Sequence, residues 1–352
     1  MSSRAERVSV RRPRAARPGA GARPRVAGRR PGVARASAVA VARAPATIAN
    51  LGPGFDCMGL ALAGLGDEVE ARWAEGIDTR LESIEGIGAR DLPLDPKRNC
   101  ASVAARAVLR LAGEKRGVTL RLRKGLAGGS GLGSSSASSV AGAVAVHRLL
   151  GGALSHEDLL LAALRGEEAA SGAAHADNVA PALLGGLVIV RSLDPVEWVR
   201  VEVPARACFA VVRPHRVVRT EDARRVLPTQ VPLAAAIDNC RNAAALALAV
   251  ERGDLALWGR ATLDRIAEPA RAPLLPGLEE ARAAARTAGA LGFSVSGSGP
   301  ALFALCDETA VARRAAAAMA EVFRRSGTGC DAHVLRADNA GALGWKAWKG
   351  KR

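Results

Sequence analysis

Hydrophobic residues recur along the chain with two different periods, and the period separates strands from helices. Between residues 117 and 123, Val118, Leu120 and Leu122 alternate with polar residues, which predicts a strand. Residues 99–112 instead place apolar side chains three and four positions apart, which predicts a helix. The small apolar residues after Ser134 predict another helix, so a strand, a glycine-rich stretch and a helix follow one another here.

The same two patterns account for most of the remaining chain. A strand, a Gly/Pro turn and a short apolar segment are predicted within 38–62, and further strands at 67–74, 183–191, 208–214 and 330–335, with a hairpin at 293–305. Helices are predicted after Ser155, at 220–228 with Thr220 as N-cap, at 232–260 as two helices joined at 252–253, and at 277–289 and 308–325. The proline-rich segment 268–277 is predicted to be an ordered loop.

The stretch from Lys124 to Ser136 combines a basic residue, five glycines and three consecutive serines. Glycines let the backbone approach an anion closely, and the free N–H groups of a helix N-terminus favour negative charge, so a phosphate group is the predicted ligand. The stretch is not a P-loop, because Lys124 precedes the glycines and no Gly-Lys-Ser/Thr follows them. The alternative, a flexible Gly/Ser linker, would not lead directly into an apolar helix.

The formal charge of +16 is concentrated at the N-terminus. Residues 1–43 contain twelve arginines and one acid, Glu6, so they carry +11 and leave +5 for the rest of the chain. Residues 1–40 lack core-forming side chains and are predicted to be disordered. An Arg-rich, Ser-containing, acid-poor extension is typical of an organelle transit peptide; a translated upstream region that is not native, or an arm that touches RNA or a membrane, are the alternatives.

Composition narrows the class of protein further. A chain of 352 residues is long enough for two domains, which we predict at 41–205 and 206–345. Aromatic residues are too few for base stacking, and no apolar run reaches the roughly 20 residues that span a membrane, so we expect neither nucleic acid nor a membrane as partner. The six cysteines are widely spaced without a CxxC pair, which favours reduced thiols over a zinc site or a disulfide framework.

Several motifs together carry a family resemblance. ATIANLGPGFD, GSGLGSSSAS and VSGSGPALFAL resemble, in this order and spacing, the three motifs of the GHMP kinases, a superfamily of small-molecule kinases. ANLGPGFD, HADNVAPALLGG and EPARAPLLPG resemble the homoserine kinases within that superfamily, and the resemblance extends from about Ala38 to Gly341. With the Arg-rich extension, GLGDEVEARW and HADNVAPA are most similar to the plastid enzymes of plants and algae.

The resemblance implies an α+β, two-domain GHMP kinase fold, with a ribosomal-S5-domain-2-like N-terminal domain and a ferredoxin-like C-terminal domain. It implies transfer of the γ-phosphoryl group of ATP to the side-chain hydroxyl of L-homoserine, in threonine biosynthesis, with ATP and Mg²⁺ as cofactors and a homodimer as the assembly. It implies a plastid location if the extension is a transit peptide, and a cytoplasmic one otherwise. A GHMP kinase for another small hydroxy acid and a non-catalytic GHMP-fold binding protein are the alternatives.

The resemblance also implies the residues of the site. Asn99 is implied to contact the adenine of ATP. The residues implied around the triphosphate are Lys124, Gly129, Gly131, Leu132, Gly133, Ser134, Ser135 and Ser136. Mg²⁺ falls to Ser135 and Glu167. The residues implied to bind L-homoserine are Asn50, Asp56, Thr220, Arg224, Arg271 and Gly297. The two arginines are implied to bind its carboxylate. Asp56, His175 and Asn178 are implied at the point of phosphoryl transfer.

Three positions depart from the family pattern. Ala127 and Ser136 stand where Pro and Ala are usual, and neither change removes a ligand. Related kinases often place an Asp near the acceptor hydroxyl, whereas this chain has Asn178, whose amide cannot take a proton. We therefore expect no strong general base, with Asp56 orienting the hydroxyl.

Several of the predicted site residues also have purely structural interpretations. Asn50 and Asp56 can serve only the local backbone bonding of their turn. Glu167, beside Glu168, can belong to a solvated helix face, and His175 can be a packed structural histidine. Arg224 has Arg225 beside it, so the two can form a surface pair. The sequence alone leaves these alternatives open.

Overall fold

The computed structural model of the chain describes residues 38–345. The extension 1–37, predicted to be disordered, lies outside the described residues. So does most of the basic C-terminal segment 344–352, which is predicted to be frayed. The predicted domain division near residue 205 falls between the last strand of one sheet and the first strand of another, and it stays a prediction.

The described residues form ten strands and eleven α-helices. The strands are β1 (Val39–Ala49), β2 (Met58–Ala74), β3 (Thr79–Gly86), β4 (Gly117–Lys124), β5 (Leu187–Leu193), β6 (Val196–Val201), β7 (Cys208–Pro214), β8 (Gly292–Val295), β9 (Leu302–Cys306) and β10 (Cys330–Arg336). The helices are α1 (Cys100–Leu111), α2 (Ser134–Leu149), α3 (His156–Ser171), α4 (Ala176–Leu184), α5 (Thr220–Arg225), α6 (Leu233–Arg252), α7 (Leu255–Ala261), α8 (Ala267–Arg271), α9 (Leu278–Thr287), α10 (Thr309–Arg325) and α11 (Gly341–Gly344).

The first sheet is organised around the long strand β2. Strand β1 pairs antiparallel along most of β2, while β4 and β5 pair with separate stretches of β2. Strand β3 lies parallel to β4, and β6 pairs with β5. The two segments predicted separately before and after residue 67 are one strand, because residues 63–65 bulge out of the pairing with β1.

Helix α2 is buried along nearly its whole length beside this sheet, and its small residues let a neighbouring helix approach closely. A Cβ atom on Gly142 would lie 2.4 Å from the carbonyl oxygen of Ala101 in α1, so only glycine fits there. The packing fixes the direction of α2, whose N-terminus follows the glycine-rich stretch.

The second sheet has the strand order β10-β7-β9-β8 and is antiparallel throughout. Side chains alternate along β7: Phe209 and Val211 join the main core, whereas Cys208 and Val212 join a second core that includes residues of α9 and α10. The Phe209 ring meets Trp258 of α7 edge-on, with ring centroids 5.7 Å apart. The two sheets with their helices confirm the predicted α+β class.

Three local predictions are wrong. The strand predicted at 183–191 begins only at Leu187, because Leu183 and Leu184 end helix α4. Thr220 is the first residue of α5 rather than its N-cap, a position taken by Arg219 without a side-chain hydrogen bond. The proline-rich segment 268–277 is not a loop, because α8 extends to Arg271 and a 3-10 turn follows at Ala272–Leu274. Pro269 is compatible with helix here because it lies in the first turn, where an N–H group has no intrahelical acceptor.

In the part of the chain that the structure describes, α6 is the one helix long and apolar enough to cross a membrane by length and composition. Polar contacts nevertheless tie it to its neighbours within the fold. The buried side chain of Asn239 donates to Asp264 Oδ1 at 2.9 Å and accepts from the Arg265 N–H at 2.8 Å.

Candidate active site

A cleft of about 820 Å³ brings together residues from widely separated parts of the chain. It contains every site residue predicted from the sequence except Leu132. Its walls include Asn50, Asp56, Asn99, Lys124, Gly129, Gly131, Gly133, Ser134, Ser135, Ser136, Glu167, His175, Asn178, Thr220, Arg224, Arg271 and Gly297.

The glycine-rich stretch forms a loop that ends at the N-terminus of α2. Gly129, Gly131 and Gly133 have φ angles of 63°, 77° and 67°, in the left-handed region that favours glycine. Gly133 is the N-cap of α2 and supplies no side-chain cap, which leaves the first N–H groups of the helix available to an anion. This geometry supports the predicted phosphate site.

Gly133 also has no room for a side chain. A Cβ atom there would lie 2.0 Å from Thr47 Oγ1 and 2.9 Å from Asn178 Oδ1. Because Gly133 has no side chain, the end of the phosphate loop can lie directly against Thr47 and Asn178, at the predicted transfer point.

Two of the predicted phosphate contacts, Leu132 and Lys124, have polar groups that already bond within the protein, and their contact with phosphate stays a prediction. The Leu132 side chain is buried in the core, its N–H donates to Ser130 Oγ at 3.3 Å, and its carbonyl accepts from the Thr47 N–H at 3.1 Å. Lys124 is only 5% exposed, and its ammonium is bonded to the Asp67 carboxylate and to hydroxyl groups of α2. Both residues support the loop from beneath, since their polar groups are already satisfied by the protein.

Asn99 lines the cleft and also caps α1. Its Oδ1 accepts from the N–H groups of Ala101 and Ser102, and its Nδ2 donates to the Pro93 carbonyl at 3.2 Å. The cap holds α1 at the edge of the cleft, and the adenine contact implied for Asn99 stays a prediction.

Glu167 is buried, with 3% exposure, so its interpretation as part of a solvated helix face is wrong. Its Oε1 accepts from Ser135 Oγ at 3.0 Å and lies 3.1 Å from His175 Nδ1, while its Oε2 accepts from Ser136 Oγ at 2.8 Å. Ser136, the departure from the usual Ala, therefore orients the predicted metal ligand. The hydrogen bond to Glu167 raises the pKa of His175 above its usual range.

The donor set at Glu167 fits a magnesium ion that shares its coordination with a nucleotide. Among residues 38–345 there is no group of three or more His, Cys, Asp or Glu side chains that could hold a metal by themselves. One carboxylate and one hydroxyl suit Mg²⁺, which keeps several waters and takes phosphate oxygens. Ser135 and Glu167 provide these two donors within hydrogen-bond distance of each other.

The turn after β1 carries Asn50 and Asp56 in unusual backbone conformations. Asn50, Leu51 and Asp56 have φ angles of 70°, 51° and 56°, which cost energy in residues other than glycine. The Asn50 side chain holds the turn, because it donates to the Gly297 carbonyl at 3.0 Å and accepts from the Asp56 N–H at 3.1 Å.

Arg224 reaches across the cleft to Asp56. Its Nη2 lies 3.2 Å from Oδ1 and 3.1 Å from Oδ2 of that carboxylate, and both side chains are partly exposed. Arg225 points elsewhere and pairs with Glu221 and Asp222 on its own helix. The structure therefore distinguishes the two neighbours, and Arg224 is the one that enters the cleft.

Arg271 is a buried cation at the same end of the cleft. It is 5% exposed, donates to the carbonyl oxygens of Ala223 (3.2 Å) and Gly297 (2.9 Å), and lies over the Phe55 ring. Burial lowers its pKa, and the charge of nearby Asp56 acts in the opposite direction. No carboxylate within residues 38–345 is in direct contact with the guanidinium, whose described hydrogen bonds go to carbonyl groups. A buried guanidinium without a carboxylate in contact is costly, so the geometry favours an anionic ligand at this point.

Two residues of the site were missed by the sequence reasoning. Thr47 donates to Asn178 Oδ1 at 2.7 Å and so fixes the orientation of that amide. Asp177 lines the cleft fully buried, and burial, with the nearby charge of Asp56, raises its pKa to about 7. Asp177 could have been predicted from its carboxylate within the HADN motif. Thr47 lies in the apolar strand β1, and nothing in the local sequence indicates its contact with Asn178.

The acceptor end of the cleft adjoins a second cavity of about 440 Å³. Asp56, His175, Asp177 and Arg224 line both spaces. His175 Nε2 is buried there without a hydrogen-bond partner in the described chain, although its Nδ1 is engaged. An unpaired ring nitrogen in a polar cleft is available to a ligand, which favours the functional interpretation of His175.

Family models match two long segments of the chain. The model described as "GHMP kinases N terminal domain" matches residues 99–186, and the one described as "GHMP kinases C terminal" matches residues 244–325. The first segment contains the phosphate loop and Glu167, and the second contains Arg271 and Gly297.

Individual relatives cover most of the chain. A homoserine kinase of Pyrococcus abyssi is 46% identical over 262 residues, which are 74% of this chain and 86% of the relative. One from Thermococcus gammatolerans is 44% identical, covering 86% and 98% respectively. The crystal structure of homoserine kinase from Cytophaga hutchinsonii has a TM-score of 0.83 and 42% identity, covering 87% of this chain and 96% of that one.

Proposed function

The chain belongs to the homoserine kinases of the GHMP kinase family, and we propose that the cleft described above is where it performs their reaction. The enzyme is an ATP-dependent phosphotransferase. It transfers the γ-phosphoryl group of ATP to the side-chain hydroxyl of L-homoserine, which yields O-phospho-L-homoserine and ADP for threonine biosynthesis.

The observation that carries the assignment of the acceptor site is the unpaired, buried guanidinium of Arg271. L-Homoserine has a carboxylate, an ammonium group and a hydroxyl, and the acceptor end offers a complement to each. Arg271 and Arg224 provide donors for the carboxylate, and Asp56 and Asp177 provide negative charge for the ammonium group. The hydroxyl would then lie toward Asn178 and the end of the phosphate loop.

The opposite half of the cleft supports nucleotide binding. The N-terminus of α2 and the left-handed glycines offer backbone N–H groups to the phosphate chain. Ser135 and Glu167 would hold Mg²⁺, which, when bound, neutralises charge on the β- and γ-phosphates. Asn99 lies at the edge of this half, where the family places the adenine.

The mechanism relies on positioning, because the residue nearest the transfer point cannot act as a base. Asn178 accepts a hydrogen bond from Thr47, and its amide has no proton affinity at neutral pH. Phosphoryl transfer passes through a loose transition state, so the hydroxyl proton can leave late, to a phosphate oxygen or to solvent. His175 Nε2, which is buried without a hydrogen-bond partner in the described chain, can be directed at the transferred group.

The substrate assignment is tested by an assay that couples ADP release to a detectable signal, with L-homoserine, shikimate and mevalonate as acceptors. We expect turnover with L-homoserine and identification of O-phospho-L-homoserine by mass spectrometry. Phosphorylation of shikimate without phosphorylation of homoserine would contradict the proposal.

The carboxylate site is tested by exchanging single arginines. Arg271→Gln should raise the KM for L-homoserine about 30-fold or more, because a buried charged hydrogen bond is lost. Arg224→Gln should raise the KM by less, because its side chain is partly exposed and screened by solvent. Arg225→Gln is the matched control, since Arg225 pairs only on its own helix and should leave the KM unchanged. Equal effects of Arg224→Gln and Arg225→Gln would argue against the assigned site.

We also propose that the enzyme is a homodimer that pairs through α6. Leu233, Ile237, Cys240, Ala244 and Leu248 recur at helical spacing on its exposed side, with 75% of Leu233 and 43% of Leu248 accessible. The same face on a second copy would bury these residues in a two-fold interface. Sedimentation should show dimers that dissociate in Ile237→Glu, whereas Leu161→Glu, an exposed leucine on α3, should remain dimeric.

We propose that the N-terminal extension directs the enzyme to the plastid stroma. The support is its composition, which is rich in Arg and Ser and nearly free of acids. Residues 1–40 fused to a fluorescent protein should accumulate in chloroplasts of plant cells, and the fusion should be shortened by cleavage. Uncleaved fluorescence in the cytosol would favour a cytoplasmic enzyme. The relatives named above come from archaea and bacteria, so the comparisons give no support to the resemblance to plastid enzymes.

A further inference from the structure

A buried ion pair lies beneath the phosphate loop and takes no part in the reaction as described so far. Lys124, at the end of β4, contacts Asp67 of β2 through its ammonium group. Only 3% of the Lys124 side chain and none of the Asp67 side chain is exposed. The next residues along the two strands, Arg123 and Glu68, form an ion pair of the same type on the surface.

The buried pair bonds to both ends of the phosphate loop. Where the loop begins, Asp67 Oδ1 accepts from the N–H groups of Gly125 (3.0 Å) and Leu126 (3.2 Å). Where it ends, Lys124 Nζ donates to the Ser134 carbonyl (3.1 Å) and hydroxyl (2.8 Å). Two charged groups in contact therefore determine the distance between the entry and the exit of the loop.

A serine of α2 closes this network. Ser138 Oγ donates to Asp67 Oδ2 at 2.6 Å and accepts from Lys124 Nζ at 2.8 Å. Ser134 Oγ in turn donates to the Leu126 carbonyl at 3.1 Å, across the base of the loop. The first turn of α2, which carries Ser135, is thus fastened to the strand that begins the loop.

Stability alone does not account for such a pair. Removing two charges from water costs about as much as their attraction returns, and apolar replacements of a buried pair are often equally stable. Its geometric effect is specific, however, because every other hydrogen bond described for the buried pair ends on the loop or on the first turns of α2. Phosphate binding through backbone N–H groups requires those groups to be held in register before the ligand arrives.

We propose that Asp67 and Lys124 are positioning residues of the nucleotide site, which hold the phosphate loop in the conformation that binds the phosphates of ATP. The proposal rests on the proposed function for the identity of the nucleotide. It differs from the assignment drawn from the sequence, in which Lys124 contacts the triphosphate directly. In the structure that contact would require Lys124 to leave Asp67 as a buried carboxylate without its cation.

The test compares Asp67→Asn, Lys124→Met and the double variant Asp67→Asn/Lys124→Met, with Glu68→Gln/Arg123→Met as the matched surface control. Three quantities are measured for each full-length protein: the urea midpoint of unfolding, the affinity for ADP by calorimetry, and the KM for L-homoserine. ADP affinity is measured without the second substrate, so it does not depend on turnover.

We expect the double variant to unfold at a urea concentration close to that of the wild type, because neither charge is left unpaired. Its ADP affinity should nevertheless fall by about 10- to 100-fold, since the loop is no longer held in register. The KM for L-homoserine should change less than about twofold, and the control variant should match the wild type in all three measurements.

Two outcomes would overturn the proposal. Wild-type ADP affinity in the double variant would leave the pair a purely structural role. Loss of affinity in Lys124→Met with unchanged or tighter binding in Asp67→Asn would mean that Lys124 contacts the phosphates itself. If the double variant does not fold, Ser138→Ala is used instead, because it removes the shared hydroxyl and leaves neither charge unpaired. It should weaken ADP binding severalfold, and an unchanged ADP affinity would count against the proposal. A wild type that binds ADP without phosphorylating homoserine would contradict the proposed function and leave this inference intact.

Discussion

Individual side chains at the acceptor end are held in place by other protein groups. Asp56 and Arg224 pair with each other across the cleft, and Asn178 is oriented by Thr47. A zwitterionic substrate can replace the single ion pair by two, its ammonium group on Asp56 and its carboxylate on Arg224. The separation of a partly exposed pair costs little, so the exchange favours binding.

The role of Asn178 is tested against that of Asp56 by substitution with Ala. Because an amide cannot accept the proton, Asn178→Ala should lower kcat by well under about 10⁴-fold. Asp56→Ala should act mainly on the KM for L-homoserine, since it removes a partner of the ammonium group. Steady-state kinetics of both variants provide the measurement. A loss of kcat far above that limit in Asn178→Ala would show that the reaction without a general base is the wrong description.

Asp177 should make substrate capture dependent on pH. Burial and the nearby charges of Asp56 and Glu167 raise its pKa to about 7, against the opposing charges of His175 and Arg224. Below that pH the carboxyl is protonated and no longer attracts the ammonium group, which keeps Asp56 as a partner, so kcat/KM for L-homoserine should fall as the pH is lowered through about 7 and level off above it.

The pH profile of Asp177→Asn separates this effect from other titrations. The variant should have a low kcat/KM without the rise near neutral pH, and its loss should lie mostly in KM. The pKa values of His175 and of the Cys57 thiol are also raised nearby. A thiol ordinarily titrates well above neutral pH, so His175→Gln serves as the control and should keep the rise. An unchanged profile in Asp177→Asn would assign the titration to another group.

At the scale of an element, the phosphate loop and α2 act as one unit. The loop ends in a left-handed glycine, and the helix begins without a side-chain cap, so its first N–H groups are open to an anion. The third motif supports the loop from the second sheet, because Ser296 Oγ donates to the Gly131 carbonyl at 2.6 Å. The loop is therefore held by contacts with both sheets as well as by its own glycines.

Gly133→Ala tests how much of this depends on close approach. The new Cβ would overlap Thr47 Oγ1, and alanine at a φ of 67° costs about 1–2 kcal/mol in addition. We expect the kcat/KM for ATP to fall about 100-fold or more, because the transfer point shifts. Gly113→Ala is the matched control, since Gly113 has a φ of 66° with open space around it. Equal losses of activity in the two variants would assign the effect to backbone conformation alone.

At the scale of the whole molecule, the three sequence motifs meet although they lie far apart in the chain. The Gly297 N–H donates to the Ala49 carbonyl at 3.1 Å, and the Gly297 carbonyl accepts from both Asn50 and Arg271. One backbone carbonyl thus joins the first motif, the third motif and the predicted carboxylate site. Substrate recognition consequently depends on the packing of the second sheet against the first.

Removal of residues 1–37 tests whether the cleft is complete without the extension. Every residue assigned to the site lies within 38–345, so the truncated enzyme should keep its kcat and both KM values within about twofold. Purified full-length and truncated proteins are compared in the same coupled assay. A large loss of activity would mean that the basic extension contributes to substrate binding, and loss of RNA affinity alone would support the alternative of an RNA-touching arm.

The sequence by itself determined the features that depend on local pattern. The alternation before Lys124 and the glycines before Ser134 were sufficient to predict strand, phosphate loop and helix, because backbone conformation follows from nearby residues. The motifs also identified the family and, with it, the reaction. Pro269 shows where such reasoning fails, since a helix tolerates proline in its first turn and the pattern alone suggested a loop.

Tertiary structure decided what each polar group bonds to. Lys124 looks in the sequence like a phosphate ligand, yet the fold places Asp67, from another strand, directly against it. In the sequence Glu167 resembles a surface residue, whereas in the fold it is buried and accepts hydrogen bonds from Ser135 and Ser136 of α2. The physical reason is that burial and pairing between residues distant in the chain set the charge and direction of a side chain, and no local pattern records them.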